Sequence, residues 1–189
     1  MNTLDNVIIL DTETGGLDPF HHSILSIGMV SGDGQVQDEF FVREAELVTD
    51  PRAMAVNRID LDQVREQGLT PSAACERLEA YASRVCPENR GVMAGHNIAF
   101  DIAFLRRLYR LANRPIPGLF CHRTIDTHTL LWVLGTAGKL PSDVRSSDAA
   151  FRYFDVAPPA ALRHTALGDA VATRDLLIHL VNLAGEAPQ

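Results

Sequence analysis

Lysine is nearly absent from this chain: of 17 basic residues, 16 are arginine and Lys139 is the only lysine. Aromatic residues make up only 6%, and the three cysteines, Cys75, Cys86 and Cys121, form no CxxC pair. An odd number of scattered cysteines argues against a disulfide framework or a zinc knuckle and fits a reducing compartment. No apolar run approaches the ~20 residues that a spanning helix needs. The N-terminus, Met1 to Asn6, has no basic region followed by an apolar one, so no signal peptide is expected. Basic excess is missing too, since 24 acidic residues against 17 basic ones give a formal net charge of -7. That balance argues against a sequence-independent coat for long nucleic acid, which needs a broad basic surface. It leaves room for an enzyme that holds a short nucleic acid end, because metal-bound carboxylates are neutralised in use. The expectation is a soluble, cytoplasmic chain with no membrane partner.

What is present is a chain of 189 residues, 46% of them hydrophobic, enough to bury one substantial core. No repeat, low-complexity segment or linker interrupts it, so residues 1–189 read as a single domain. The apolar run Val7-Ile8-Ile9-Leu10 predicts a buried strand ending in Asp11. Ile24 to Val30 and Gln35 to Val42, joined by the turn Ser31-Gly32-Asp33-Gly34, predict an antiparallel three-stranded opening. Short helical pieces are expected at Ala53–Asn57 and Leu61–Gln67, and Thr70-Pro71 marks the start of a longer helix. Further along, strands at Gly91–Gly95 and Leu119–Ile125 alternate with helices at Ala99–Leu111, Thr127–Leu134, Ser147–Phe154 and Leu167–Leu183. Gly135–Val144 is the best loop. This order predicts an α/β fold, with a mixed sheet covered by helices on both faces.

Three constellations carry chemistry. The first is Asp11-Thr12-Glu13: on a strand, residues i and i+2 share a face, so both carboxylates point the same way. Two such charges repel unless a cation lies between them, and oxygen ligands suit Mg²⁺ or Mn²⁺ rather than zinc. The pair runs into Thr14-Gly15-Gly16-Leu17, a turn where backbone approaches a ligand closely; capping of that turn by a strand-end Asp is the plainer use. The second is His96-Asn97-Ile98-Ala99-Phe100-Asp101, which places Asp101 in the first turn of a helix. The helix dipole alone favours an acid there. The third is His164-Thr165-Ala166-Leu167-Gly168-Asp169. Five residues along a helix is about 140° of rotation, so these two converge only if His164 lies in the loop before the helix. A neutral imidazole beside activated water is what a general base requires.

Together, Asp11-Thr12-Glu13-Thr14-x-Gly16-Leu17, His96-Asn97-x-x-Phe100-Asp101 and His164-x-Ala166-Leu167-x-Asp169-Ala170 resemble the three motifs of the DEDDh, DnaQ-like 3′→5′ exonucleases. That family includes polymerase proofreading subunits, RNase T and oligoribonuclease. The resemblance runs from about Val7 to Leu180, with further likeness at Thr49–Asp60 and Ile125-Asp126-Thr127. It departs at Gly15, where the family has a second Thr, and across Gly135–Leu162. It implies an RNase H-like fold with a five-stranded sheet, and hydrolysis at 3′ ends of single-stranded RNA or DNA by two Mg²⁺ or Mn²⁺ ions. Asp11, Glu13 and Asp169 would bind one metal. Asp11 would also bind the second, with Asp101 contributing directly or through water. His164 would be the general base, and the product a nucleoside 5′-monophosphate. Thr14, Leu17, Asn97 and Phe100 would meet the terminal nucleotide, Leu17 and Phe100 by wedging or stacking. A polymerase-bound proofreading subunit and a non-catalytic nucleic-acid-binding module are the alternatives. The shortness of the chain after Asp169 speaks against the first, and the presence of all five motif residues against the second. Oligomeric state stays open, a homodimer included.

The remaining features have simpler readings. Arg106, Arg107, Arg110 and Arg114 cluster on and just after the helix that follows Asp101. Arg106 and Arg110, as i,i+4 neighbours, could guide a phosphate backbone, but a solvated face is the stronger reading, with Leu105, Leu108 and Leu111 inward. His21-His22, and His128 with Asp126, read as surface or capping groups. Trp132, at helical spacing with Leu131 and Leu134, reads as core.

Overall fold

The computed structural model describes residues 4–88 and 90–185; Met1 to Thr3 of the N-terminal stretch, Asn89 and the last four residues lie outside them. Strand β1 (Val7–Thr14) is central in a five-stranded sheet of order β3-β2-β1-β4-β5. β2 (Ile24–Ser31) pairs antiparallel with β1, and β3 (Gln37–Phe41) antiparallel with β2. β4 (Gly91–Gly95) and β5 (Phe120–Asp126) extend the sheet in parallel on the other side. The expected mixed sheet, antiparallel over its first three strands, is the one observed.

Alternation along β1 sets up both faces. Ile8 and Leu10 enter a core with Leu78 of α3 (Pro71–Val85) and Phe104 and Leu108 of α4 (Ile98–Leu111). Val7 and Ile9 enter the opposite core, with Ala170 and Leu177 of α7 (Ala166–Gly185), as period-2 geometry requires. A third cluster joins α5 (Thr127–Thr136), α6 (Ser147–Tyr153) and α7 through Leu131, Phe151 and Leu176. Two short helices, α1 (Pro51–Asn57) and α2 (Leu61–Gln67), are each capped by the aspartate before them. α3 starts where Thr70-Pro71 predicts, with the Thr70 hydroxyl accepting from the Ala73 amide at 3.4 Å. Among the described residues, no helix is long and apolar enough to cross a membrane.

One close approach places the site. Gly28 lies opposite Asp11 on β2, and a Cβ there would come within 2.2 Å of the Ala166 backbone. Only glycine lets the first turn of α7 sit directly on the sheet, which brings Asp169 over β1.

Some details differ from expectation. Trp132 is 46% exposed rather than core. α5 buries Thr127, Leu131 and Leu134, and Trp132 lies about 100° round the helix from Leu131. Its ring instead carries the Arg145 guanidinium at 3.9 Å, and its indole N–H donates to His128 Nε2 at 3.1 Å. Leu111 is 45% exposed because it ends α4, beyond the reach of the core that takes Leu105 and Leu108. The arginines on and just after α4 are not one solvated face. Arg107 makes a buried two-pronged pair with Glu44, and Arg114 pairs with Glu76 and Glu79. Arg106 and Arg110 stay exposed. α5 also runs two residues into the segment expected to be a loop, ending at Thr136.

Candidate active site

At the C-terminal end of β1 the alternation continues with polar side chains. Asp11 and Glu13 follow Val7 and Ile9 toward α7, where Asp169 stands in the first turn. One carboxylate oxygen from each of the three lies within 4.8 Å of the other two. Thr12 faces the other way and meets α4. Its amide and hydroxyl both donate to Asp101 Oδ1, at 2.9 and 2.8 Å, fixing a carboxylate that is 3% exposed. All four acids line one cleft of about 400 Å³, together with His96, Phe100 and His164.

The electrostatics are those of a site that wants a cation. Burial, followed by the nearby charges of Asp101, Glu13 and Asp169, holds the Asp11 carboxyl well above the usual range. Burial, and then Asp169, pushes Glu13 up to about 8. Asp101 rises to about 7 through burial, with the Thr12 hydrogen bonds pulling the other way. Asp169 is raised by burial and partly restored by the Arg163 guanidinium. Its Oδ1 is buried with no hydrogen-bond partner. Clustered oxygen donors, mutual repulsion and an orphaned carboxylate oxygen fit a hard divalent cation.

His164 lies in the loop before α7, as convergence with Asp169 requires, with a left-handed backbone at φ 63°. His96 is the other imidazole in the cleft. Its Nδ1 is 3.0 Å from the Thr127 hydroxyl, and burial, then His128, pushes it down to about 4. It stays neutral and is too weak a base for proton abstraction near neutral pH.

The residues expected to meet substrate divide. Phe100 lines the cleft, with its ring 5.0 Å from that of Phe104, and Asn97 lines it from a left-handed position before α4. Thr14 and Leu17 are not part of the cleft wall. The Thr14 hydroxyl turns onto the Gly16 carbonyl at 2.7 Å, and Leu17 is 82% exposed at the tip of the β1–β2 loop. Gly15 has a local reason: a Cβ there would come within 2.4 Å of the Val48 carbonyl oxygen. The capping roles of Asp126 and His22 hold, since Asp126 accepts from the amides of His128 and Asn97, and His22 Nδ1 from that of Asp18.

Sequence reasoning missed Arg163. Its guanidinium pairs with Asp169 Oδ2 through Nη1, and with Asp148 Oδ1 through Nε and Nη2 at 3.2 and 2.7 Å. Position beside His164 was the available signal; the partner Asp148, 15 residues earlier, was not visible from spacing. Thr12 was also passed over, as the middle residue of an acidic motif.

Comparison with known proteins agrees with this geometry. An exonuclease family model, that of RNase T, matches residues 8–177. The chain belongs to this DnaQ-like exonuclease family. A DNA polymerase III subunit epsilon-like protein of Rhodobacter capsulatus is 28% identical over 178 residues, covering 92% of this chain and 23% of that protein. A PolC-type DNA polymerase III of Thermotoga petrophila is 28% identical over 183 residues, covering 93% and 12%. The chain thus spans less than a quarter of either relative. Exonuclease I of E. coli in complex with a dT13 oligonucleotide has the same fold, with TM-score 0.71 and 15% identity over 93% of this chain and 40% of that one. A zinc-bound complex of that enzyme with single-stranded DNA gives TM-score 0.74 and 16% identity over 95% and 41%. Exonucleases of this family depend on divalent metal, and the acidic cluster is where this member would hold it.

Proposed function

We propose that this chain is a 3′→5′ exonuclease of the DEDDh type, acting as one domain on single-stranded ends and releasing nucleoside 5′-monophosphates. The observation that carries it is the meeting of Asp11, Glu13 and Asp169 within 4.8 Å, in a cleft that also holds Asp101 and His164. Asp11, Glu13 and Asp169 would hold one Mg²⁺ or Mn²⁺ ion, and Asp11 would also hold the second, with Asp101 contributing directly or through water. Held there, such ions would supply stabilisation of the charge that develops on the oxygens of a phosphoryl displacement. His164 takes the proton of the attacking water, a role its loop position favours and one that His96 is too weak a base to fill. Thr12 keeps Asp101 oriented through two hydrogen bonds. Asn97 and Phe100 contact the terminal nucleotide from the cleft wall. Thr14 contributes from the end of β1 and Leu17 from the β1–β2 loop, Leu17 as an exposed apolar edge against the last base.

The names of the two relatives favour a second reading, in which the domain proofreads for a replicative polymerase. Co-purification of a polymerase from cell extract would support it. The main reading is tested with 5′-labelled RNA and DNA oligomers of matched sequence, in Mg²⁺ and in Mn²⁺. A ladder that shortens from the 3′ end is expected. Loss of the 5′ label as a mononucleotide at the first time points would exclude the assigned direction.

A further inference from the structure

A second cavity, of about 450 Å³, adjoins the carboxylate cleft and shares Asp148, Phe151, Arg163 and His164 with it. Its remaining wall comes from the end of α1, from α6, and from the segment 157–160. The two sides are tied to the carboxylates. Asn57 donates through Nδ2 to the Thr14 carbonyl at 3.0 Å, so the end of α1 is fixed to the end of β1. α6 carries Asp148, which holds Arg163 and through it Asp169.

Charge in this cavity is unbalanced. Asp148 is its one acidic wall residue, and Arg163 engages that carboxylate with two nitrogens. Arg58 and Arg152 also line it, one from each side, and among the described residues neither makes a hydrogen bond or ion pair through its side chain. Arg58 has φ 57°, a left-handed conformation unusual for a residue with a side chain, and directly follows the anchored Asn57. Two exposed arginines lining one cavity that shares a wall with the carboxylate cleft are suited to a phosphate, which guanidiniums grip with forked donors. A cavity of this size takes one nucleotide-sized group.

We propose that Arg58 and Arg152 form a second phosphate subsite, holding a phosphate of the strand other than the one being cut. This rests on the exonuclease reading above. The bound phosphate is either the next one on the 5′ side of the scissile phosphate or a 3′-terminal phosphate on the end itself; both offer the same chemistry to the two arginines.

The test is fluorescence anisotropy of a labelled single-stranded oligonucleotide in Ca²⁺, as a function of salt. Variants are Arg58→Asn, which tolerates the left-handed backbone, Arg152→Ala, and the double substitution; both side chains are exposed, and melting curves check folding. Each single change is expected to weaken binding about two- to fivefold and to lower the log-log salt slope by about 0.7. Oligonucleotides with a neutral methylphosphonate at the second linkage from the 3′ end, or with an added 3′-phosphate, locate the contact. In whichever position the phosphate sits, its effect on affinity should shrink in the double variant. An unchanged slope in the double variant, or full sensitivity to both modifications, overturns the proposal. Turnover by the wild-type protein in Mn²⁺ is measured alongside. Its absence would count against the exonuclease reading, whereas the anisotropy judges the subsite by itself.

Discussion

At the scale of single residues, the cleft trades stability for function. In the metal-free protein Glu13 keeps its proton up to about pH 8, against an ordinary value of 4.5. Between those values the unfolded chain releases a proton that the folded chain retains, so stability falls as pH rises through that window. Asp11, Asp101 and Asp169 act with the same sign. Melting temperature in EDTA should therefore drop from about pH 5 to about pH 8. Glu13→Gln should melt higher than the parent at the upper end in EDTA, and lose that advantage in Mn²⁺. Arg163 gives a second residue-scale prediction. It pairs with Asp169 Oδ2 and so competes with a cation for the charge of that carboxylate. Arg163→Ala should tighten Mn²⁺ binding about tenfold by calorimetry, the equivalent of one charge-assisted hydrogen bond removed from competition. Weaker Mn²⁺ binding in this variant would show that Arg163 supports the site instead. The acids themselves were legible in the sequence, because strand alternation and helix first turns are local rules. Arg163 and Thr12 were not, because their roles depend on which atoms arrive from Asp148, Asp169 and Asp101.

At the scale of elements, the same division between local and distant information holds. β1, β2, β4 and the starts of α3 and α4 follow from apolar runs and caps, and appear close to where they are expected. Trp132 shows the limit of helical spacing, which defines a stripe but not its edge. Arg107 shows another, since its partner Glu44 is 63 residues away on a loop. That pair joins α4 to the segment after β3. Glu44 also accepts from the Ile24 amide at 3.1 Å, and Arg107 donates to the Phe20 carbonyl, so the pair holds the start of β2 and the middle of the β1–β2 loop. With side chains 12% and 4% exposed, removal of one partner leaves a buried charge. Arg107→Leu should cost about 3 kcal/mol in urea unfolding. A loss under about 1 kcal/mol would mean the pair behaves as a surface bridge.

At the scale of the whole molecule, the arginine-for-lysine skew and the net charge of -7 take on a structural meaning. Several arginines are spent on acids: Arg77 on Asp38, Arg107 on Glu44, Arg114 on Glu76 and Glu79, Arg163 on Asp148 and Asp169. Forked pairing of this kind is what lysine does poorly. Other arginines remain exposed, but the acids outnumber the bases over the chain, which disfavours tracking of a long strand and leaves the grip local to the cleft and its neighbouring cavity. Digestion of a long single strand should be distributive, with an unlabelled trap added after the start stopping further shortening within a few nucleotides. Complete digestion of the bound strands under the trap would contradict this.

The central claim is that the carboxylate cluster and His164 carry out metal-dependent hydrolysis at a 3′ end. Its most direct test is product analysis in Mn²⁺ from a single strand with a 3′-hydroxyl, comparing the parent with Asp11→Asn and His164→Ala. The account predicts nucleoside 5′-monophosphates from the parent, none in EDTA, and rates lower by about 10²–10⁴-fold in His164→Ala and at least as low in Asp11→Asn. Products bearing 3′-phosphates, or either variant within tenfold of the parent, would contradict it.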